Sequence, residues 1–232
     1  MRTAPAESRR EAAGTRRWLA HNAWRIVLLF VGLLLPLAGF VALADEIHET
    51  EALHFDDALL WHLRGQASQA RDALFVLLSK LGYQWGVIPL DVLLVAALAW
   101  RRRWRDAAFA AIALAGSALL NLGSKQLFQR ERPGLWESIA PESTFSFPSG
   151  HAMGSMTLAA TVLFLAWPTR WRWPVLLVAV VFVAGVGLSR LHLGVHYPSD
   201  ILGGWCAALA WVSGMHLLMF RRRWALPVSG NP

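Results

Sequence analysis

The chain has 232 residues, 56% of them hydrophobic and only 16% charged, and carries a formal net charge of +7. Soluble domains are about a quarter charged, so this composition, with a mean hydropathy of +0.40, excludes an ordinary water-soluble globule and points to the bilayer as solvent. Nucleic-acid binding is also excluded as the reason for the positive charge. The basic residues stand in short clusters between apolar runs, such as Arg101, Arg102, Arg103 and Arg105, and Arg221, Arg222 and Arg223, and clusters of this kind orient membrane segments.

In chain order, residues 1–20 form a polar N-terminal tail. Residues 21–224 form a single membrane domain, and 225–232 a C-terminal tail. Six apolar runs predict spans at Arg25–Leu43, Tyr83–Trp100, Ala107–Leu122, Ala152–Trp167, Trp173–Leu188 and Ile201–Phe220. A span needs roughly 17–25 residues, so the shorter runs draw on their flanks. The first run exceeds a signal-peptide core in length and is kept as a span. Ala73–Leu81 is too short to cross and predicts a helix at the interface. The expected fold is all-α, an integral membrane six-helix transmembrane bundle with short extracytoplasmic helices. The 13 Trp act mainly as interface anchors. The one cysteine, Cys206, lies in an apolar run, which leaves no intramolecular disulfide and no thiolate metal site.

Orientation follows from the cations. With the N-terminus cytoplasmic, fifteen of the 22 Lys and Arg fall inside and seven outside, which places both termini in the cytoplasm. The acidic loop Ala44–Asp57 then falls outside.

On that same outer face the topology collects three polar stretches. They are Lys125 to Pro133 after the third span, Phe147-Pro-Ser-Gly-His151 before the fourth, and Ser189 to Asp200 between the fifth and sixth. Converging cations (Lys125, Arg132, Arg190) need an anion, and the arginine fork matches two phosphate oxygens at once. Pro148-Ser149 is a helix-start signal, Gly150 lets a ligand approach the backbone, and a helix N-terminus is itself an anion site. Two histidines beside a phosphate can divide nucleophilic attack and proton donation. Asp200 lies four residues after His196, with Pro198 suited to a first helical position. The carboxylate can therefore reach back to hold the imidazole. His196 is the candidate nucleophile, Asp200 its orienter and His151 the general acid. Lys125, Arg132, Arg190, Ser149 and Gly150 are the candidate phosphate binders.

The spacing Lys-x6-Arg-Pro (Lys125, Arg132, Pro133), then Pro-Ser-Gly-His (148–151), then Ser-Arg-x5-His-x3-Asp (Ser189, Arg190, His196, Asp200) resembles the type 2 phosphatidic acid phosphatase superfamily, in its bacterial membrane lipid phosphatase branch. The resemblance implies a phosphohistidine on His196, a leaving group protonated by His151, and phosphoryl oxygens held by the three cations with Ser149 and Gly150. It implies no metal and no cofactor. The expected activity is removal of phosphate from a lipid phosphate or diphosphate at the outer leaflet of the cytoplasmic (inner) membrane. Candidate substrates are phosphatidylglycerophosphate, phosphatidic acid, undecaprenyl diphosphate and the lipid A phosphates. The alternatives are a phosphotransferase working through the same intermediate and a transporter that binds lipid phosphates without cleaving them. A haloperoxidase fits poorly with six spans.

Taken singly, each residue has a plainer reading. Lys125 and Arg132 read as snorkelling anchors, His151 as a packing residue and Asp200 as a helix N-terminal charge. Polar groups at membrane depth are costly, and six in one place mark a function. Arg130 and Glu131 read as a local charge pair, His192 as structural, and Asp91 as a costly intramembrane carboxylate that pairs with another span or faces a cavity.

Overall fold

The computed structural model describes residues 22–50 and 53–220. Both expected tails and the Arg221–Arg223 cluster lie outside the described residues. Eight helices follow in order: α1 (Asn22–Glu49), α2 (His54–Arg64), α3 (Gln69–Leu81), α4 (Val87–Trp100), α5 (Trp104–Phe128), α6 (Gly150–Ala166), α7 (Arg172–His192) and α8 (Pro198–Met219). Among the described residues there is no strand, as expected of an all-α bundle.

Four helices, α1, α5, α7 and α8, are long and apolar enough to cross a bilayer. α5, with 25 residues, extends about 37 Å at 1.5 Å per residue, longer than a hydrocarbon core of about 30 Å. α4 and α6 have 14 and 17 residues. The six expected spans are therefore all helical, and four of them meet the length for crossing. The short α6 is the central helix, packed against α7, α8 and α5, so its neighbours bear most of the lipid contact.

The exposed apolar residues mark that lipid face: Phe30, Val31 and Leu35 on α1, Val92 and Leu93 on α4, and Leu177, Val178 and Val181 on α7. Water would not tolerate this array, whereas lipid tails do. Inside the bundle, close helix approach replaces the hydrophobic effect as the adhesive. Gly204 of α8 shows how close. A Cβ there would stand 2.9 Å from the Ser149 carbonyl oxygen and 3.1 Å from the Met153 nitrogen, so only glycine lets α8 pass under the start of α6. A buried hydrogen bond of 2.7 Å between the Ser117 and Thr157 hydroxyls joins α5 to α6.

The outer segment departs from the expected loop. α1 continues two turns past Leu43, because residues 44–49 contain no Gly or Pro to stop it and Ile47 is buried. α2 then packs on α7 and α8. Its Leu60, with no exposed surface, joins a cluster with Ala152, Leu191 and Ile201. α3, the expected interfacial helix, packs against α7 and starts with Ser68 as its cap, which accepts from the Arg71 amide.

Candidate active site

The three polar stretches converge at one end of the bundle. α5 ends where Gln129 turns left-handed at φ 47, which puts Lys125 in the last helical turn. Its ammonium donates to the Phe145 carbonyl oxygen. The loop from α5 to α6 folds back on itself. Arg132 donates to the carbonyl oxygens of Thr144 (2.6 Å) and Val195 (2.6 Å) and to the Thr144 hydroxyl (2.9 Å). Asn121 of α5 donates to the Pro148 carbonyl oxygen at 3.1 Å, tying the loop's end to the helix it left.

α6 begins as the sequence indicates. Ser149 is the cap, and its hydroxyl accepts from the Ala152 amide. His151 follows in the first turn, its ring 5.0 Å from that of Tyr83. Arg190 sits in the last turn of α7, with 1% of its surface exposed. It donates to the Ser79 hydroxyl of α3 and to Glu142. The chain then reverses at Gly194, whose φ of +66 suits glycine, and Trp136 leaves no room for a Cβ.

His196 lies just before α8 and is fully buried. Its Nδ1 is 3.2 Å from Asp200 Oδ2 and 3.3 Å from the Ser146 hydroxyl. The same carboxylate oxygen accepts from the Tyr197 amide (2.8 Å) and from Ser146. A carboxylate cannot donate, so Nδ1 carries the proton. Nε2 keeps its lone pair and accepts from Arg132 Nη1 at 3.1 Å. Burial holds the imidazole well below its usual pKa, and the cations Arg132, Arg190 and Lys125 push it the same way. The ring is thus neutral with its lone pair on Nε2, the form a nucleophile requires. Burial also lowers the Arg132 guanidinium, against the opposing charges of Glu142 and Asp200.

A cavity of 690 Å³ opens over this group, lined among others by Lys125, Gly150, His151 and Arg190. His196 and Ser149 stand behind its wall, without exposed surface. Glu142 also lines it. This carboxylate accepts from Arg132 at 2.8 Å and from Arg190, and lies 3.8 Å from His151 Nδ1. It lies between the two guanidinium groups and pairs with both. The sequence reading passed over Glu142, although the need of three cations for an anion was the available signal.

Arg130 corrects that reading outright. It does not pair with Glu131 as the local charge pair expected. It is buried, and one guanidinium joins two carboxylates, with Nη1 on Asp200 Oδ1 and on the Ser199 hydroxyl (2.8 Å) and Nη2 on Asp56 Oδ2 (2.9 Å). It also stacks over the Tyr197 ring at 4.2 Å. Asp56 has no exposed surface, although the expectation put it in the acidic loop Ala44–Asp57 on the outside. Asp200 is therefore held on both oxygens, Oδ2 facing His196 and Oδ1 facing Arg130.

Two further expectations resolve. His192 is structural, bonded to Asp72 of α3 at 2.8 Å and packed on Phe75. Asp91 faces a cavity. With Ser117, Asn121 and Thr157 it lines a space of 170 Å³ among α4, α5 and α6, and its Oδ1 is buried without a hydrogen-bond partner among the described residues.

Comparison with known proteins gives the family and the fold. The family model of the PAP2 superfamily matches residues 106–224. A phosphatidylglycerophosphatase B of Bacillus subtilis is 28% identical over 175 residues, 73% of this chain and 86% of that one. An undecaprenyl-diphosphatase of Sulfolobus acidocaldarius is 31% identical over 147 residues, 61% of this chain and 67% of that one. Among solved structures, the transmembrane PAP2 type phosphatidylglycerolphosphate phosphatase from Bacillus subtilis superposes with a TM-score of 0.71 at 27% identity, covering 79% of this chain and 94% of that chain. Aquifex aeolicus LpxE, at a TM-score of 0.60 and 19% identity, covering 72% of this chain and 97% of that chain, shares the fold.

Proposed function

Since this chain belongs to the PAP2 superfamily and is a membrane phosphatase, we propose that it hydrolyses a lipid phosphate monoester or diphosphate through a phosphohistidine on His196. One observation supports this above the others: a buried, neutral imidazole fixed by Asp200, with Nε2 turned toward the Arg132 guanidinium.

Substrate phosphate displaces the Glu142 carboxylate and takes its place on Arg132 and Arg190, with Lys125 and the backbone at Gly150 completing the cradle. Ser149 contributes as the cap that presents the free amides of α6. The Nε2 lone pair forms a bond to phosphorus as the bond to the lipid oxygen breaks. His151 delivers a proton to that oxygen. Water, losing a proton to His151, then attacks phosphorus, and the P–N bond breaks to release inorganic phosphate. No residue in this sequence of steps relies on a metal ion.

We place the site on the extracytoplasmic side of the cytoplasmic membrane, with both termini cytoplasmic, because basic residues prevail at the opposite end. In this topology the short α4 and α6 also cross, completed by their flanking turns, and residues 21–224 act as one domain. The substrate class spans the activities of the two relatives, phosphatidylglycerophosphate and undecaprenyl diphosphate, along with phosphatidic acid and lipid A phosphates.

The test is phosphate release from these lipids by the purified chain in detergent with EDTA present, alongside His196→Ala. Metal-independent release that disappears in the variant is the expected result. Release that survives the substitution would rule out His196 as nucleophile.

A further inference from the structure

The buried group behind the nucleophile is larger than a His–Asp pair. Asp200 shares Arg130 with Asp56, a residue 74 positions from Arg130 along the chain, on an outer helix. Asp56 has its own anchors. Oδ1 accepts from the Ser199 amide at 3.0 Å, and Oδ2 accepts from the Ser199 hydroxyl at 2.6 Å. At the third position of α2 it also faces the Leu53 amide at 3.4 Å. The cluster thus ties the start of α2, the loop after α5 and the start of α8 into one hydrogen-bonded unit under the imidazole.

We propose that Arg130 and Asp56 are positioning residues for the nucleophile, together keeping Asp200 charged and turned so that its second oxygen meets His196 Nδ1. Each has a separate task. Arg130 holds Asp200 Oδ1, which fixes the rotation of the carboxylate and keeps it ionised where no water can reach it. A buried carboxyl without a cation takes up a proton; it would then lose its grip on Nδ1–H. Arg130 alone, however, would cancel the charge that His196 needs. As Nε2 bonds to phosphorus the ring becomes cationic, and a neutral Arg–Asp pair offers it little. Asp56 supplies the second carboxylate, so that one guanidinium between two carboxylates leaves a net negative charge beside the ring. The outer helix α2 is in this sense part of the active site, although none of its residues lines the cavity.

This role rests on His196 acting as the nucleophile and adds a prediction that a mere brace would not meet. The phosphate cradle of Lys125, Arg132 and Arg190 does not touch Asp56, so loss of the clamp acts on turnover and spares binding. The experiment uses the full chain in detergent and the lipid phosphate that the wild type cleaves fastest. Arg130→Met is expected to lower kcat about 100-fold, in the range of other groups that orient a catalytic imidazole or its equivalent. KM and the inhibition constant of inorganic phosphate stay within about threefold, as for an interaction made in the transition state alone. Arg130→Lys, which keeps the cation, restores most of the rate. Asp56→Asn, which keeps an acceptor for the Ser199 amide but removes the charge and turns the atom facing Arg130 from acceptor to donor, lowers kcat about tenfold.

Should Arg130→Met fail to fold, as judged by its melting in detergent, Arg130→Lys and Asp56→Asn decide by the same split. The proposal is overturned if kcat is unchanged in the variants, or if kcat, KM and phosphate inhibition deteriorate together with melting temperature. A wild type inert toward every lipid would instead overturn the phosphatase reading beneath it.

Discussion

Two arginine–carboxylate pairs occupy opposite ends of this bundle. Arg103 and Asp106 meet at 2.8 Å at the start of α5, with side chains 49% and 23% exposed. Arg130 meets Asp56 at 2.9 Å behind the cavity, at 3% and 0% exposure. The distances are alike, and the physics is not. An exposed pair is screened by water and contributes about 0–1 kcal/mol. A buried pair carries a desolvation cost that its partners must offset, and breaking one partner leaves an uncompensated charge. At the first end, arginines and Trp100, Trp104, Trp171 and Trp173 face outward as anchors. At the second end, Arg130, Arg132 and Arg190 are turned inward and each is committed to named acceptors. A membrane protein keeps ions in its interior where they serve chemistry.

The largest expected effect lies at the buried end. His196→Ala is expected to reduce phosphate release by at least about 10⁴-fold, the scale of losing a nucleophile, as read from single-turnover release. A residual rate within tenfold of wild type would remove the distinction between the two ends as functional and structural. Next is Arg190→Lys, which trades a fork for a point charge. About 10- to 100-fold in kcat/KM is expected, and equal rates would show that the cradle reads charge without geometry.

Glu142→Gln sharpens the comparison further, because in the proposed mechanism phosphate displaces the Glu142 carboxylate. Inorganic phosphate is expected to inhibit about three- to tenfold more tightly, the effect of one nearby like charge removed. Unchanged or weaker inhibition would mean that Glu142 does not compete for the arginines. The pH profile gives a subtler reading. Burial and three cations hold His196 neutral, so acid has to drive the ring far below its ordinary titration near 6.5 before the lone pair is lost. The acid limb of kcat/KM, measured for the free enzyme, is therefore expected below pH 6.5. A limb at or above that value would show that His196 titrates as an exposed ring. The smallest effect belongs to the exposed end. Arg103→Ala is expected to change neither the rate nor the stability by more than about 0.5 kcal/mol, as checked by melting in detergent.

How much of the site was legible follows the distance over which each contact acts. The reach of Asp200 back to His196, the Ser149 cap and the Pro198 start of α8 are all contacts within four residues. Backbone geometry alone determines them. The six apolar runs were equally plain, because a bilayer demands continuous hydrophobic stretches. The burial of Asp56, in contrast, was hidden in an acidic stretch that looked solvated. The two turns added to α1 were hidden too, since charged residues with no breaker suit a loop or a helix equally well until Ile47 finds a packing partner.

By itself the sequence determined the solvent, the helical class, the grouping of three motifs at one end and the local pairing of Asp200 with His196, since each depends on composition or on neighbours in the chain. Tertiary structure alone decided that Glu142 fills the cradle and that Arg130 joins Asp56 to Asp200. A side chain's charge is written in the sequence, but its partner across the bundle depends on which helices pack together and how far each is turned. A buried ion settles on whatever opposite charge that packing brings within about 3 Å.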